Sequence, residues 1–275
     1  MSHTEVIIRY DGLSAESGSL GLYDSAEALS GIATLINRVS HAFANDNEVR
    51  DRMSNPRDVV TSMVGAKRGC FEYVIGVDFS EQTVEKIGKS VVVKHFWDYL
   101  NLSIQLAIGI EAESDNPYVR KIANAEDTPF EELAIRLEQS LKDLMRPIST
   151  EGAESVTLNR PYSGDLLTLG IDEYEYVSAS DEDEKIRHWN GNVTKYNILT
   201  GYGRAYIDEI RKTIPFNIVE FEGNQRAHRA ATASMNERAG EEADGKRIFV
   251  GKKVVNSAGR IKRLLISEIN KPHGQ

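Results

Sequence analysis

The sequence predicts an α+β chain in two parts: a helix-rich α+β domain followed by an OB-like or SH3-like small β-barrel. Three observations carry that prediction. Up to about residue 150, strand-like runs alternate with helical stripes whose apolar residues recur at three and four. From about residue 191 the order is three strands, an alanine-rich helix and two strands, which is the order of an OB barrel. Between the two the charge changes sign. Residues 186–275 hold 16 Lys and Arg against 9 Asp and Glu, or +7, whereas residues 1–185 hold 17 against 33, or −16. The expected parts are an acidic α+β domain at 1–150, a strand-containing acidic connector at 151–185 and a basic barrel at 186–275.

The chain opens with "EVIIRYDG", apolar residues closed by an Asp-Gly turn signal, which predicts a strand. In "DSAEALSGIATLINRVSHAFAND", Asp24 is placed to cap a helix and Glu27 to complete a capping box. Leu29, Ile32, Ile36, Val39 and Phe43 fall on one face of that helix, and Asn45-Asp46-Asn47 ends it. Residues 59–79 read as a hairpin turning at Lys67-Arg68-Gly69. "VVVKHFWDYLNLSIQLAIGI", residues 91–110, is interrupted by Lys94, His95 and Asp98 too early to span a membrane, so it predicts a buried core helix. In "DTPFEELAIRLEQSLKDLMRPI", Thr128 is the expected N-cap and Pro129 opens the first turn. Glu131 and Glu132 face the positive end of the helix dipole, and Pro147 stops the helix. Residues 155–178 alternate as strands do and lead into the acidic run "DEYEYVSASDEDE".

The barrel strands are expected at about 191–199, 203–210 and 214–221, with a helix at 224–240. The last two strands, "KRIFVGKKVV" and "GRIKRLLISEI", meet at Asn256-Ser257-Ala258-Gly259.

Composition and motif spacing exclude several chemistries. Hydrophobic residues at 40% and charged ones at 27% suit a folded globular chain. Residues 1–10 show no basic stretch followed by an apolar run, so no secretory leader is expected. Cys70 is the single cysteine, which removes an internal disulfide and a cysteine-based zinc cluster and suits a cytoplasmic setting. Its apolar strand makes it a buried thiol rather than a nucleophile. No two of the six histidines stand at i, i+4, so a His-Glu-x-x-His zinc site is absent, and no Gly-x-Ser-x-Gly elbow appears. Gly201-Tyr202-Gly203 opens like a dinucleotide fingerprint, but Tyr206 replaces the third glycine and no helix follows. Gly251-Lys252-Lys253 lacks both P-loop spacing and the magnesium-binding hydroxyl. The acidic run has neither the glycine nor the terminal acid of an EF-hand loop. No motif calls for a cofactor or a metal.

The basic half supplies the binding expectation. Lys252, Lys253, Arg260, Lys262 and Arg263 belong to the last two strands and their turn. Lys195, Tyr196, Tyr202, Arg204 and Tyr206 belong to the first hairpin. If the first and last strands of a closed barrel approach, cations and tyrosines share a surface, the combination that single-stranded nucleic acid requires. Arg226, His228 and Arg229 add charge near the start of the barrel helix. The competing reading packs alternate tyrosines into the barrel and leaves the lysines to keep its edge soluble. A net charge of −9 disfavours long duplex DNA, so a nucleotide, short oligonucleotide or other small anion is the expected ligand.

The chain resembles two-part proteins of bacterial and prophage genomes through "IIRYDG", "SAEALSGIATLINRV", "GCFEYVI" and the closing "GNVTKYNILTGYGRAY … FVGKKVVNSAGRIKRLLISEI". The resemblance implies a setting in phage–host conflict, in defence or anti-defence, and assigns no catalytic residue. The function expected first is a non-enzymatic cytoplasmic binding protein whose barrel engages a nucleotide, short single-stranded nucleic acid or other anion. The second is a protein-interaction or homo-oligomerisation module acting through the 24–44 or 91–110 helix. The third is a nucleotide hydrolase.

Overall fold

The structure, a computed structural model, describes residues 2–50, 55–67, 71–125, 127–179, 181–239, 245–255, 259 and 261–272. Its contacts divide the chain into two units, Met1–Ala123 with Leu133–Ser178, and Asn124–Glu132 with Ala179–Gln275.

The first unit is built on β1 (Ser2–Asp11), whose period-2 pattern buries Thr4, Val6, Ile8 and Tyr10 and leaves the alternate residues half-exposed or exposed. After the turn α1 (Leu13–Glu16) comes α2 (Leu22–Ala44), then the hairpin β2 (Val59–Lys67) and β3 (Phe71–Phe79). Next are α3 (Glu81–Ile87), α4 (Val92–Ala107), α5 (Pro117–Ala123), α6 (Phe130–Leu144) and α7 (Arg146–Ser149). A second strand pair, β4 (Ser155–Arg160) and β5 (Gly164–Leu169), is followed by α8 (Ile171–Ser178). The sheet order is β2-β3-β1-β4-β5, with every neighbouring pair antiparallel.

The helical stripes read from the sequence are core. Ile32, Ile36, Val39 and Phe43 of α2 are buried, as are Phe96, Trp97, Leu100 and Ile104 of α4. Phe43 makes edge contacts with Phe79, Phe96 and Tyr99 at ring separations of 5.5–5.6 Å. Each such pair contributes about 0.5–1.5 kcal/mol beyond area burial. The interaction reading therefore loses both helical faces it named. Gly31 earns its place in α2 by close approach, because a Cβ there would stand 2.5 Å from the Ser140 carbonyl oxygen and the Leu144 nitrogen on α6.

Three local expectations are corrected. Helix α2 starts two residues before Asp24, at Leu22, with Gly21 as N-cap and no side-chain cap. Asp24 instead accepts hydrogen bonds from Arg146 Nε at 2.8 Å and from the Thr150 hydroxyl at 3.0 Å, since a charged partner outbids a helix end. Thr128 does not cap α6: its hydroxyl is buried and bonds to no described residue. Residues 171–178 form a helix rather than a strand, because Glu173 accepts the Gly170 N–H at 2.8 Å as the return bond of a capping box. Residues 155–169 of the expected connector extend the first sheet as β4 and β5. Arg68 and Gly69 of the expected hairpin turn, and Cys70 of the strand expected to bury its thiol, lie outside the described residues.

The second unit contains a short strand β6 (Asp181–Glu182) and then β7 (Arg187–Tyr196), β8 (Tyr202–Ile207) and β9 (Lys212–Ile218). Helix α9 (Gln225–Ala239) follows, and β10 (Arg247–Val255) and β11 (Ile261–Asn270) complete the set. The first three strands of the barrel each end three residues before their expected limits. Strands β7, β8, β9, β11 and β10 pair in that order, and β10 returns to β7, closing a five-stranded barrel. The β9–β11 pair is parallel and the others are antiparallel. Trp189, Phe216, Phe249, Leu264 and Ile266 fill the interior. Of the closing turn, residues 256–258 lie outside the described residues. No helix among the described residues is long and apolar enough to cross a membrane.

Helix α9 lies on the barrel through small residues. Ala227 and Ala231 are buried, and the buried Ser234 hydroxyl accepts the Val193 N–H at 3.0 Å and donates to the Gly245 carbonyl at 2.5 Å. Ser234→Ala leaves a buried strand N–H without a partner and is predicted to cost about 1–3 kcal/mol. The check is the urea midpoint, and an unchanged midpoint would refute this role.

A second prediction concerns α6, where Glu132 is buried in the first turn and burial raises its carboxyl to about 7. A carboxyl raised in the folded state stabilises fully below the unfolded value of about 4.5, and that stability is lost as pH rises to about 7. Glu132→Gln should therefore gain unfolding midpoint over wild type between pH 5 and pH 8. A difference that stays flat across that range contradicts the assignment.

Candidate functional site

The glycine- and tyrosine-rich stretch 191–209 forms the hairpin β7–β8, not a phosphate loop. Its turn closes with the Gly201 N–H bonded to the Asn197 carbonyl at 3.0 Å and the Asn197 N–H bonded to that of Tyr202 at 2.8 Å. Gly201 has φ +76°, in the left-handed region that favours glycine. On β8 the small residues Gly203 and Ala205, with Ile207, point inward. A Cβ on Gly203 would stand 2.8 Å from the Phe216 ring, so the hairpin closes over the core only with glycine there. The alternate residues Tyr202, Arg204 and Tyr206 form a row on the outer face, with Tyr206 40% exposed.

Strand β7 changes phase along its length. Trp189 and Val193 face the core, and an unbroken alternation would turn Lys195 inward as well. A bulge between Val193 and Lys195 shifts the register by one residue. Lys195 is thereby placed opposite Arg204 on the outer face, and Tyr196 turns into the core. Tyr196 stacks on Phe216 at a ring separation of 6.1 Å and is hydrogen-bonded to His228 Nδ1 at 2.9 Å. Burial pushes its phenol well above the ordinary value. The expected base-stacking role of Tyr196 is therefore corrected to a core role.

The first residues of α6 and those just before it, within the 124–132 segment that belongs to the second unit, lie beside this hairpin. Glu131 lies 3.6 Å from the Arg204 guanidinium, and Asn197 Nδ2 donates to the Thr128 carbonyl at 3.2 Å. Burial raises the Glu131 carboxyl, against the opposing pull of Arg204 and Lys195. Glu131 and the 124–132 segment were invisible as site residues in the sequence. "TPFEEL" signals a helix start and says nothing about a strand some seventy residues later.

The remaining expected cations do not converge on this face. The last strand does not pair with the first: β7 lies between β8 and β10, whereas β11 lies between β9 and β10. Lys262 is buried and donates to the Ala179 carbonyl at 3.0 Å, so it is withdrawn from the surface. Lys252 pairs with Glu182 at 2.7 Å and Lys253 lies 3.9 Å from Asp183, because the acidic run folds back beside β10. Arg263 is half-buried on β11. Arg226 and Arg229 are exposed on α9, with Arg226 bonded to Asn270 Oδ1 at 3.3 Å. Arg260 lies outside the described residues. Among the described residues no group of three or more His, Cys, Asp or Glu is arranged to hold a metal ion.

The arrangement thus offers two outward tyrosines with an arginine between them and a lysine across the ladder. Comparison with known proteins divides the chain at nearly the same place as its contacts do. Residues 6–178 match a domain of unknown function (DUF7946), and residues 185–270 match a family of unknown function (DUF7947). No curated protein and no solved structure matches the chain. Because the first match spans more than half of its length, the chain belongs to the family of the domain of unknown function DUF7946.

Proposed function

We propose that the protein is a non-enzymatic binding protein whose barrel engages a nucleotide or short single-stranded nucleic acid on the outer face of the β7–β8 hairpin. The observation that carries this reading is the row Tyr202–Arg204–Tyr206 facing out on β8, with Lys195 opposite Arg204 on β7. Aromatic faces accept stacked bases irrespective of sequence, and the cations follow the phosphates. Glu131 beside Arg204 tempers the field, which favours a short anion over a long duplex. The cytoplasmic setting and a part in phage–host conflict belong to the same proposal. They rest on the single cysteine and on the resemblance to bacterial and prophage proteins.

The test is fluorescence anisotropy with a labelled oligothymidylate of about ten nucleotides, within the span of an OB barrel. Tyr206→Ala should weaken binding roughly tenfold, the effect of losing one stacked base. Lys195→Gln should reduce the salt slope by roughly 0.7, as for one phosphate contact on a single strand. Glu131→Gln should act in the opposite direction and tighten binding. Binding that is absent, or indifferent to all three changes, defeats the reading.

A second reading is self-association through the edge strand β2, supported by the exposure of Val60, Met63 and Val64 at 65%, 51% and 55%. An apolar sheet edge is a template for a further strand, although the bulge between Met63 and Gly65 shortens its flat length. Native mass spectrometry should then show a dimer that Val60→Lys converts to a monomer. A wild-type monomer removes this reading.

A further inference from the structure

The N-terminal unit holds a polar cavity of about 350 Å³ at the C-terminal end of α2, a volume within the range of small-ligand sites. Asn45, Asp46, Arg57, Asp58, Thr83 and Lys86 line it. From the sequence, Asn45-Asp46-Asn47 read only as a helix stop.

Arg57 is the centre of the site. Its backbone N–H donates to His41 Nδ1 at 3.0 Å, and its carbonyl accepts from Asn45 Nδ2 at 2.8 Å. Its Nε donates to Asn45 Oδ1 at 2.7 Å and its Nη2 to Glu48 Oε2 at 3.1 Å. Both residues at the root of this clamp, His41 and Asn45, are buried. Burial, with Arg50 next in size, pushes the His41 imidazole down, which keeps it neutral and leaves Nδ1 free to accept. A residue held at two backbone and two guanidinium points has already lost much of the side-chain entropy that ligand binding would otherwise cost.

The neighbouring backbone is held equally firmly. The Asp58 carbonyl accepts from the Ser80 N–H at 3.0 Å and from the Thr83 hydroxyl at 3.1 Å. Asp46, Asn47 and Asp58 all adopt positive φ, at 53°, 65° and 59°, and they are three of the eight non-glycine residues that do so among the described residues. Left-handed backbone of this kind concentrates at ligand clamps, where surrounding bonds over-determine it. Lys86, the second cation, pairs among the described residues with the largely exposed Asp46, a contact of the weakly held surface kind that a ligand anion can displace.

We propose that this cavity binds a small phosphorylated molecule, its phosphate bridging Arg57 and Lys86 and its hydroxyl or amino groups donating to Asp58 and Asp46. Phosphate is preferred to carboxylate on oxygen count. The guanidinium fork can occupy two oxygens, and a phosphate retains a third for the ammonium.

The test is a titration of the full chain with inorganic phosphate, followed by amide shifts in proton–nitrogen NMR, with sodium chloride at matched ionic strength as the reference. Saturable shifts at Asp46, Arg57 and Asp58 are expected with phosphate and not with chloride. Lys86→Gln, at a half-exposed site that keeps the fold, should weaken the apparent affinity roughly tenfold or more, as for a lost charged hydrogen bond. Arg57→Lys should weaken it comparably while retaining the charge, because the fork is lost. Lys195→Gln should leave it unchanged, so that failure here is separable from failure of the barrel reading. Shifts that chloride reproduces, or that persist unaltered in Lys86→Gln, overturn the proposal. If inorganic phosphate saturates the site, repeating the titration with a sugar phosphate should tighten binding through Asp58 and Asp46. Equal affinity for the two would overturn the acceptor role given to those carboxylates.

Discussion

Closure of the barrel by the parallel pairing of β9 with β11 is the constraint on which the second unit depends. Leu264, Leu265 and Ile266 stand opposite Phe216, Asn217 and Ile218, and this short ladder is the step that converts a meander into a ring. Once the ring closes there is an inside, and each residue of the hairpin must take one side of it. Phe216 is buried at the seam and is stacked by Tyr196. The seam therefore fixes which tyrosine belongs to the core and which two remain outside. The bulge on β7 completes the arrangement, because a strand with period 2 can exchange its faces only by gaining or losing a residue.

The positive half of the chain is less positive in its surroundings than in its composition. Lys252, Lys253, Arg204 and Arg247 each face a carboxylate from the same unit, namely Glu182, Asp183, Glu131 and Glu237. Where both partners are exposed, as with Lys252 and Glu182, the pair contributes little and yields readily to a competing anion. Where they are buried, as with Arg204 and Glu131, the carboxylate stays beside the guanidinium and offsets its charge. Charge on the hairpin is therefore a matter of a few positioned groups, not of a broad field.

The same principle governs the N-terminal cavity by a different route. There the cation is immobilised through the backbone of its own residue: His41 takes the Arg57 N–H while Asn45 holds both its carbonyl and its guanidinium. A helix end provides this economically. The last turn of α2 leaves polar side chains at a point where the chain reverses, and Asp46 and Asn47 tolerate the left-handed backbone that the reversal demands.

Local signals were sufficient for much of the architecture. The apolar stripes of α2, α4 and α6, the β2–β3 hairpin and the strand–strand–strand–helix–strand–strand order of the barrel all follow from periodicity, which is a property of consecutive residues. The caps were read less well, because Asp24 and Thr128 have side chains suited to capping whose actual surroundings are set by Arg146 and by burial. Of the residues on the outer face of the hairpin, Lys195, Tyr202 and Arg204 were legible because they share β7 and β8. Tyr196 was assigned to the wrong side of it, since a bulge leaves no mark in composition. What the sequence by itself determined was the long helices, the barrel's order of strands and helix, and the charge that these carry. What only the tertiary structure decided was which of those charges meet: Glu131 with Arg204, the acidic run with β10, Arg57 with His41 and Asn45. The physical reason is that hydrogen bonds and ion pairs act over a few ångströms of space, and separation along the chain does not report that distance.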